Sequence, residues 1–505
     1  MSYTTCSDED ANNRQAEVSR LSWTRHLSEE NIKPFDAIPG LTALPIIGIM
    51  HHFIPFFGTI GPKNNFFDMF EVLYRKYGSV VKMEGMLAKG TMVMFFEPDH
   101  YDKIYRAEEM PAPYRSGFQA LEYYREELRK DRFNGVYGLT TAQGKKWRDF
   151  RTKVNPALLK PKIVKLYAPG LEEIADDLVA RLWSIREDPA ALSKEFETEI
   201  TKWSLESVAL VCLGKRIGCL QDNLSDDHPA KKLMHCSKTV PDLSFKLEFA
   251  PKFINMRNSS WFKELMKIFD TQWEVSEMYI EQAKKAINER GHGIPEEDQS
   301  ILEKLLAIDE KVAVMMANEM LFAGIDTVSY AVTGLLYNLA VNKVAQDKLR
   351  QEIHAQAGSK YLKACVKESL RLLPVLSANL RQTTKEHIVA GYQIPAGTFA
   401  IAPNEYLSKL EKYYPQAREF IPERWLVDKE DPLYYGNAHP MVTLPFGFGV
   451  RSCIGRRIAE LEIEILVKKL LDKVEVQWTG PPLKVVIKVI NNFKKPYHFK
   501  FVEAK

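Results

Sequence analysis

The sequence lacks the marks of a disulfide-rich, zinc-binding or membrane-anchored protein. Its 505 residues include only six cysteines, and no two of them have the CxxC spacing that is typical of zinc and iron–sulfur sites. So few and unclustered cysteines in a chain of this size do not predict disulfides. The best candidate for a spanning segment, residues 41–57, is interrupted by prolines and histidines. Since a spanning helix needs about 18 consecutive apolar residues, we expect no transmembrane anchor in this sequence.

The sequence also has little net charge and no internal division. Its 69 basic and 66 acidic residues leave a formal charge of +3, which argues against a nucleic-acid-binding protein that relies on bulk charge. The length alone would suggest about three domains, but no linker, charge block or repeat divides the chain. We therefore predict one large domain at 66–505. It is preceded at 1–65 by a strap, or a targeting remnant, rich in proline, glycine and aromatic residues.

The hydrophobic pattern predicts a mainly α fold with small β-sheets. Helical periodicity dominates from about residue 98 to about residue 471. Before the main helical region the sequence predicts a helix at 65–77 and paired strands at 79–83 and 91–96. It also predicts short strands around 387–402 and 484–502.

One predicted helix, 311–342, contains no proline and is apolar almost all round. Such a helix is buried in a large core or spans a membrane. Glu319, Asp326 and the polar residues near them favour the core. We therefore expect a long central helix.

A single cysteine, Cys453, stands in a glycine-rich segment, Phe446–Gly455, with the sequence FGFGVRSCIG. Glycines let a backbone approach a flat ligand and direct amide groups at a thiolate. The predicted helix at 456–471 adds a positive partial charge beside it, which also favours a thiolate. Taken alone, Cys453 would more often be a buried free cysteine. Its surroundings favour a metal ligand.

This segment resembles the haem-binding signature of the cytochrome P450 family, with Phe446, Gly449 and Gly455 at the expected offsets from Cys453. The resemblance extends over nearly the whole chain. It implies a cytochrome P450 fold with the long helix over haem b, and Cys453 as the ligand of the haem iron. A thiolate ligand favours O–O bond cleavage. Arg451 would meet a haem propionate.

A second match is Ala323–Thr327 in the long helix, with the sequence AGIDT. Thr327 could bond to its own helix and Asp326 to a buried partner, which would give both residues a purely structural role. The run resembles the oxygen-activation motif of the family. The resemblance implies that Gly324 lets the helix open locally for O₂, and that Asp326 and Thr327 relay protons.

Glu368 and Arg371 form an ExxR pattern, which alone would be an ordinary surface pair. In the family this pair bonds a later arginine, and Arg424 in Pro422–Trp425 matches that position. The resemblance implies a buried charge triad that supports the haem side of the fold.

Trp147 and Arg151 are four residues apart and share a helix face. The family uses this WxxxR pair on haem propionates, and Arg381 and Arg451 match two further propionate-binding positions. Each arginine alone would more often be a solvated charge. A guanidinium group suits a carboxylate because it can bind in two places.

The paired Arg456 and Arg457 resemble the mitochondrial members of the family, which receive electrons from an acidic ferredoxin. Lys363 and Lys367 lie four apart on one predicted helix face, where that class binds ferredoxin. The alternative is a merely solvated basic face. The segment 113–133 resembles arthropod mitochondrial members. We expect peripheral attachment to the matrix side of the inner membrane, although the acidic N-terminus is unlike a transit peptide.

The substrate pocket is expected at 118–124, 321–323 and 375–378, by position in the family. These segments are largely apolar, which suits a hydrophobic substrate such as a steroid or a xenobiotic. The link at 354–359 is shorter than in most members, and it would perturb the ferredoxin face or be tolerated as a surface loop.

The resemblance implies a monooxygenase that hydroxylates a hydrophobic small molecule with O₂ and electrons from a ferredoxin. Two alternatives are a P450-fold isomerase or dehydratase and a non-catalytic haem-binding protein. The intact run Ala323–Thr327 argues against the first alternative, and the complete set of haem and oxygen motifs argues against the second.

Overall fold

The computed structural model describes residues 32–503 except 45–47, 62–65, 85–89, 109–117, 186–194, 249–255, 292–294, 296–297 and 487. Helices dominate these residues, as the sequence predicts. The α-helices are Phe66–Tyr77, Pro98–Ala107, Gln119–Tyr123, Lys130–Phe133, Gly138–Thr141, Gly144–Leu158, Pro161–Leu166, Ala168–Ser184, Phe196–Leu213, Pro229–Glu248, Ser260–Arg290, Ile301–Leu306, Glu310–Val341, Lys343–His354, Lys360–Leu372, Asn404–Leu407 and Arg456–Lys473.

The strands form one five-stranded sheet and three two-stranded sheets. In the large sheet the order is β1-β2-β3-β7-β4, with β1 parallel to β2, β3 parallel to β7, and the other pairs antiparallel. The strands are β1 Gly40–Leu41, β2 Val80–Met83, β3 Met92–Phe95, β4 Asn379–Gln382, β5 His387–Val389, β6 Tyr392–Ile394, β7 Phe399–Ala402, β8 Val474–Trp478, β9 Val485–Val486, β10 Asn492–Phe493 and β11 Phe499–Glu503.

The predicted strand pair near the N-terminus is confirmed, because β2 and β3 pair antiparallel with Val80 opposite Phe95. The strap joins the same sheet through β1, which pairs with β2. Residues 1–31 of the strap lie outside the described residues, and the domain boundary at residue 66 stays a prediction.

The predicted long helix is present as Glu310–Val341, and we call it the central helix. Asp309 caps its first turn by accepting hydrogen bonds from the amides of Lys311 and Val312. Its side chains are buried along almost the whole length, within a core that contains most of the described helices. Among the described residues it is the one helix long and apolar enough to cross a membrane, and it is mostly buried. It therefore belongs to the core.

The apolar residues form two clusters. The larger contains most of the helices and the two C-terminal strands β8 and β11, and the smaller contains the five-stranded sheet with the helices Phe66–Tyr77 and Pro98–Ala107. The segment Phe446–Gly455 contributes to both, since Phe446 packs against the helical cluster and Phe448 against the sheet cluster. The predicted cysteine loop therefore lies where the two parts of the core meet.

Candidate active site

The cysteine loop is closed by a hydrogen bond from the amide of Cys453 to the carbonyl of Phe446, 2.8 Å long. Gly447 and Gly449 have φ angles of 75° and 65°, a left-handed conformation that glycine adopts without strain. The side chain of Cys453 is exposed, whereas the other described cysteines are buried free thiols. The helix Arg456–Lys473 begins directly after the loop, so its N-terminus lies beside the sulfur and favours a thiolate.

Arg151 lies against this loop. Its guanidinium donates to the carbonyl of Ser452 (3.2 Å) and to Oδ1 of Asn155 (2.8 Å). Burial lowers the pKa of Arg151, and the nearby Cys453 opposes that effect through its charge. The attraction is mutual, so Arg151 stabilises the thiolate form of Cys453.

Trp147 brings two of the predicted arginines together. Its buried ring lies under the guanidinium of Arg451, 4.2 Å from the ring centre, and that of Arg151 lies 5.8 Å away. Arg451 also donates to the carbonyl of Ala142 (3.1 Å) and to Oε1 of Gln143 (2.8 Å). The tryptophan and both arginines therefore form one group beside the cysteine loop, in which Trp147 and Arg451 are buried and Arg151 is half-buried.

Arg381 reaches the same loop from β4. Its guanidinium donates to the carbonyl of Phe448 (2.9 Å) and lies 5.1 Å from the ring centre of Tyr105. Burial lowers the pKa of Arg381, since the charged form loses hydration. No acidic residue pairs with Arg381 among the described residues. An anionic ligand would supply the negative charge that the Arg381 guanidinium lacks.

The residues around the loop fit haem b. One exposed thiol suits the iron, and the three guanidinium groups of Arg151, Arg381 and Arg451 suit two propionates. A Cβ on Gly455 would lie 3.9 Å from Sγ of Cys453, so glycine keeps the space beside the sulfur clear.

The run Ala323–Thr327 is less buried than most of the central helix. Ala323 is exposed, and Gly324 and Thr327 are half-buried. The Thr327 hydroxyl donates to the carbonyl of Ala323 (2.8 Å), so its oxygen remains able to accept a further hydrogen bond. This bond to its own helix is the structural alternative that the sequence left open, and it is compatible with a role at the surface of the site.

Gly324 has a packing role that the sequence does not reveal. A Cβ there would meet Cγ2 of Val208 at 2.7 Å, so the glycine lets the helix Phe196–Leu213 lie close to the central helix. Ser204 from that helix donates to the carbonyls of Gly324 and Ile325, both at 3.0 Å. The central helix continues as an α-helix through these residues.

Asp326 lies in polar surroundings. Its Oδ1 accepts a hydrogen bond from the Ser237 hydroxyl (3.1 Å). Burial raises the pKa of Asp326 to about 6, although the Ser237 hydrogen bond and nearby lysines oppose the rise. A carboxyl group with this pKa exchanges protons readily near neutral pH.

The charge triad predicted from ExxR is confirmed. Glu368 is fully buried and bonds Arg371 (2.8 Å) and Arg424 (2.9 Å), and it also accepts from the Trp425 indole (2.9 Å). Arg371 donates further to the carbonyls of Ser408 and Ala417 (both 2.6 Å). Burial alone would raise the pKa of Glu368, but the two arginines outweigh it and hold the pKa below its ordinary value.

A second buried ion pair joins Arg125 to Glu319 of the central helix at 2.6 Å. Glu319 also accepts hydrogen bonds from the amides of Leu139 (2.6 Å) and Thr140 (3.1 Å). A side chain on Gly138 would clash with its carboxylate. The pair fixes the segment before Trp147 to the central helix. The sequence shows Glu319 only as a charge in an apolar helix and does not identify Arg125 as its partner.

A further carboxyl group that the sequence did not single out is Glu462, in the helix that follows Cys453. It is 2 % exposed, and its Oε1 has no hydrogen-bond partner among the described residues. Burial raises its pKa to about 8. Glu462 is therefore protonated in the folded protein at neutral pH.

The expected substrate segments are largely described, and their role stays a prediction. Leu321 is buried in the central helix, and Phe118 precedes the short helix Gln119–Tyr123. The carbonyl of Val375 accepts from the amide of Asn491 (3.0 Å), and Ser377 is buried.

The four cationic residues expected to meet a ferredoxin are all exposed. Lys363 lies 3.9 Å from Glu464, and Lys367 lies over the Trp425 ring at 5.6 Å. Arg456 bonds Glu460 (2.9 Å), and Arg457 has no described partner. The short link is closed by Glu352, which accepts from the amides of Tyr361 and Leu362 at the start of the helix Lys360–Leu372.

Comparison with known proteins gives matches over nearly the whole chain. A family model for cytochrome P450 matches residues 38–501. The chain is 36% identical over 507 residues to cytochrome P450 CYP12A2 of Musca domestica, with 94% of this chain and 92% of that protein covered. It is 35% identical to probable cytochrome P450 12b2, mitochondrial, of Drosophila melanogaster, with 89% and 85% covered. It is 33% identical to probable cytochrome P450 12a5, mitochondrial, of the same fly, with 94% and 91% covered.

The family match includes both the central helix and the cysteine loop, and the resemblance drawn from the motifs is confirmed. The arrangement of one exposed thiol beside the guanidinium groups of Arg151, Arg381 and Arg451 fits a thiolate-bound haem. The chain belongs to the cytochrome P450 family of monooxygenases, whose cofactor is haem b.

Proposed function

We propose that this monooxygenase hydroxylates a hydrophobic small molecule, a steroid or a xenobiotic, with electrons from a ferredoxin. The observation that carries the proposal is the environment of Cys453, an exposed thiol beside Arg151 and a helix N-terminus. Haem bound there would activate O₂ at a thiolate-ligated iron, which favours O–O cleavage. Cys453 would hold the iron, and Arg151, Arg381 and Arg451 the propionates.

The central helix supplies the proton-handling residues. Asp326 holds an exchangeable proton, since burial brings the pKa of its carboxyl to about 6. The Thr327 hydroxyl is fixed by its bond to the carbonyl of Ala323, which orients its oxygen as an acceptor. The expected substrate segments at 118–124, 321–323 and 375–378 contribute apolar side chains that exclude water from the reacting atoms.

A ferredoxin donor is supported by the exposed cations Lys363, Lys367, Arg456 and Arg457, and Lys363 lies 3.9 Å from Glu464 of the helix that follows Cys453. An acidic protein would be attracted to them over several ångströms, which raises the association rate. Glu464 lies beside Lys363 and Glu460 beside Arg456, so the attraction depends on the whole patch rather than on one lysine.

Mitochondrial location is supported by two of the similar fly proteins, which are named as mitochondrial. Peripheral membrane attachment is supported by a hydrophobic turn near the N-terminus. Phe56 is 100% exposed and Phe57 91% exposed, and the turn is held by hydrogen bonds from the amides of Gly58 and Ile60 to the carbonyls of Ile54 and His52. Two exposed aromatic rings on a fixed turn suit the interface of a bilayer. Replacing Phe56 and Phe57 by serine should release the protein from vesicles of mitochondrial lipid composition in a flotation assay.

The first experiment is the spectrum of the reduced, CO-bound protein. Wild type should give the red-shifted Soret band of a thiolate-ligated haem, and Cys453→Ser should lose it. Survival of the band in Cys453→Ser would show that another residue holds the iron. Cys365→Ser is a matched control, because Cys365 is a buried thiol away from the loop.

The second experiment separates the three functions that the sequence leaves open. Candidate steroids and xenobiotics are first screened for spectral binding. Product formation is then measured with NADPH, ferredoxin and its reductase. A monooxygenase requires the complete electron chain and O₂. An isomerase or dehydratase turns over without them, and a haem-binding protein gives no product in either case.

A further inference from the structure

The helix Pro98–Ala107 contacts the cysteine loop, although no sequence motif marks it. The guanidinium of Arg106 lies 5.1 Å from the centre of the Phe448 ring, in the loop itself. The hydroxyl of Tyr101 donates to the carbonyl of Met441 (2.7 Å), shortly before the loop begins. The helix therefore packs against the part of the chain that carries the haem ligand.

Tyr105, in the last turn of this helix, lies against Arg381. Tyr105 is 5 % exposed, and the Arg381 guanidinium lies over its ring, 5.1 Å from the ring centre. The negative face of an aromatic ring attracts a cation, and the attraction is stronger where water is excluded. Arg381 is 4 % exposed, so the ring offsets part of the hydration that burial removes from the guanidinium.

The hydroxyl of Tyr105 does not account for the position of this residue. It has no hydrogen-bond partner of normal geometry among the described residues. Burial raises the pKa of the hydroxyl, while the charge of Arg381 and the amide of Ala402 oppose the rise. A buried hydroxyl without a partner costs free energy. The ring is therefore the part of Tyr105 that makes the favourable contact.

Hydrogen bonds fix the end of this helix to the chain that follows β4. Glu108 accepts from the amide (3.0 Å) and the hydroxyl (2.7 Å) of Thr384, and its Oε1 lies 2.6 Å from Nε2 of His387. Tyr105 is close in sequence to Glu108, and Arg381 in β4 is close to Thr384. These bonds therefore hold the ring and the guanidinium at a fixed separation.

We propose that Tyr105 is the positioning residue of Arg381, because its ring holds the guanidinium in the orientation that binds a haem propionate. The inference rests on the proposed role of Arg381 at a propionate. Arg381 donates to the carbonyls of Leu380 (2.8 Å) and Phe448 (2.9 Å), which leaves further N–H donors of the guanidinium for a carboxylate. A guanidinium that is already fixed binds without the cost of ordering a long side chain.

The test replaces Tyr105 by phenylalanine, and then by phenylalanines that carry one, two or three fluorine atoms. Fluorine withdraws electron density from the ring face and weakens its attraction for a cation, while the shape of the ring changes little. We expect haem transfer from the ferric holoenzyme to excess apomyoglobin to become faster with each fluorine, by about tenfold over the series. Tyr105→Phe should retain haem as wild type does, and faster release in this variant would assign the role to the hydroxyl and contradict the proposal.

The reduction potential of the haem is the second measurement. A cation beside a propionate stabilises the ferrous haem, which carries one more negative charge than the ferric haem. A loosely held Arg381 gives less of this stabilisation, so the potential should become more negative along the fluorine series. A residue that only fills space between the helix and the sheet would leave the potential unchanged, which would refute the proposal.

Arg381→Met separates positioning from packing. This variant alone should release haem faster than wild type, and fluorination at position 105 should then have no further effect on the release rate or on the potential. A fluorine trend that persists in Arg381→Met would overturn the proposal, as would the absence of a trend when Arg381 is present. An unchanged release rate in Arg381→Met alone would show that Arg381 does not bind the propionate, and the inference would fail at its premise.

Tyr101 provides the matched control. It is a fully buried tyrosine of the same helix, and no cation lies over its ring among the described residues. The same series of fluorinated phenylalanines at position 101 should give neither a trend in haem release nor a trend in potential. A trend of equal size there would show that the effect at Tyr105 is one of general packing. None of these measurements requires turnover, so their outcome is independent of whether the enzyme hydroxylates a substrate.

Discussion

Glu462→Gln should stabilise the protein at neutral pH. The glutamate is buried in the helix that follows the cysteine loop without a hydrogen-bond partner for Oε1 in the described residues, and burial raises its pKa from 4.5 to about 8. At pH 7 the unfolded chain ionises this group, whereas the folded chain must keep it protonated. Glutamine has nearly the same shape and needs no proton.

The size of the effect follows from the two pKa values. Because the pKa is higher in the folded protein, the stability is complete below pH 4.5 and is lost as the pH rises toward 8. Holding the proton at about 2.5 pH units above the ordinary pKa costs about 3 kcal/mol at pH 7. The amide of glutamine, buried without a partner, costs about 1 kcal/mol at every pH. The advantage of Glu462→Gln should therefore increase by about 1.4 kcal/mol per pH unit between pH 5 and pH 7.

The assay is urea unfolding of the ferric holoenzyme at pH 5, 6 and 7, followed by far-UV circular dichroism. The free energy of unfolding of wild type is subtracted from that of the variant at each pH, which cancels the titration of all other groups. Glu460→Gln is the control, since Glu460 is half-exposed and pairs with Arg456, and its difference should be small and independent of pH. A difference for Glu462→Gln that does not change with pH would refute the reasoning.

Three more predictions concern the site. Thr327→Ala should keep NADPH consumption while product falls and peroxide rises, and unchanged coupling would return Thr327 to a structural role. Lys363→Glu with Lys367→Glu should raise the apparent KM for ferredoxin, as should added salt in wild type, without changing spectral substrate binding; equal ferredoxin use at low salt would contradict this. Gly324→Ala should cost about 1–3 kcal/mol of stability because its Cβ meets Val208 at 2.7 Å, and Val208→Ala should restore most of it; no rescue in thermal unfolding would argue against that contact.

The cysteine loop was predictable because its chemistry is local. Two glycines, one cysteine and a following helix occupy consecutive positions, so the sequence predicts both the turn and the thiolate site. Trp147 and Arg151 were predictable for a similar reason, since four-residue spacing places them on one helix face. The central helix was predicted within one residue at each end, because its apolar pattern is uninterrupted.

The features that the sequence did not predict depend on contacts between residues that are far apart in the chain. Glu319 was noticed as a charge in an apolar helix, but its partner Arg125 comes from a short π-helix at 124–128, nearly two hundred residues earlier. Nothing local distinguishes the unpaired Glu462 from the paired Glu460 two residues before it. Burial and pairing are decided by tertiary packing, which the sequence pattern does not specify.

Three carboxyl groups show what packing decides. Glu368 lies between Arg371 and Arg424, and the two charges outweigh burial and keep it ionised. Glu462 has no cation near it, so burial keeps it protonated at neutral pH. The electrostatic surroundings of Asp326 are intermediate between those of Glu368 and Glu462.

Asp326 has one hydroxyl partner in Ser237, electrostatic attraction to Lys238 and Lys488, and a pKa of about 6. A carboxylate fixed by arginines would not accept protons, and one without any cation would not release them at neutral pH. The intermediate surroundings of Asp326 suit a group that both accepts and releases a proton during turnover. The same physical terms therefore give a structural anion, a neutral core residue and the proposed proton carrier within one chain.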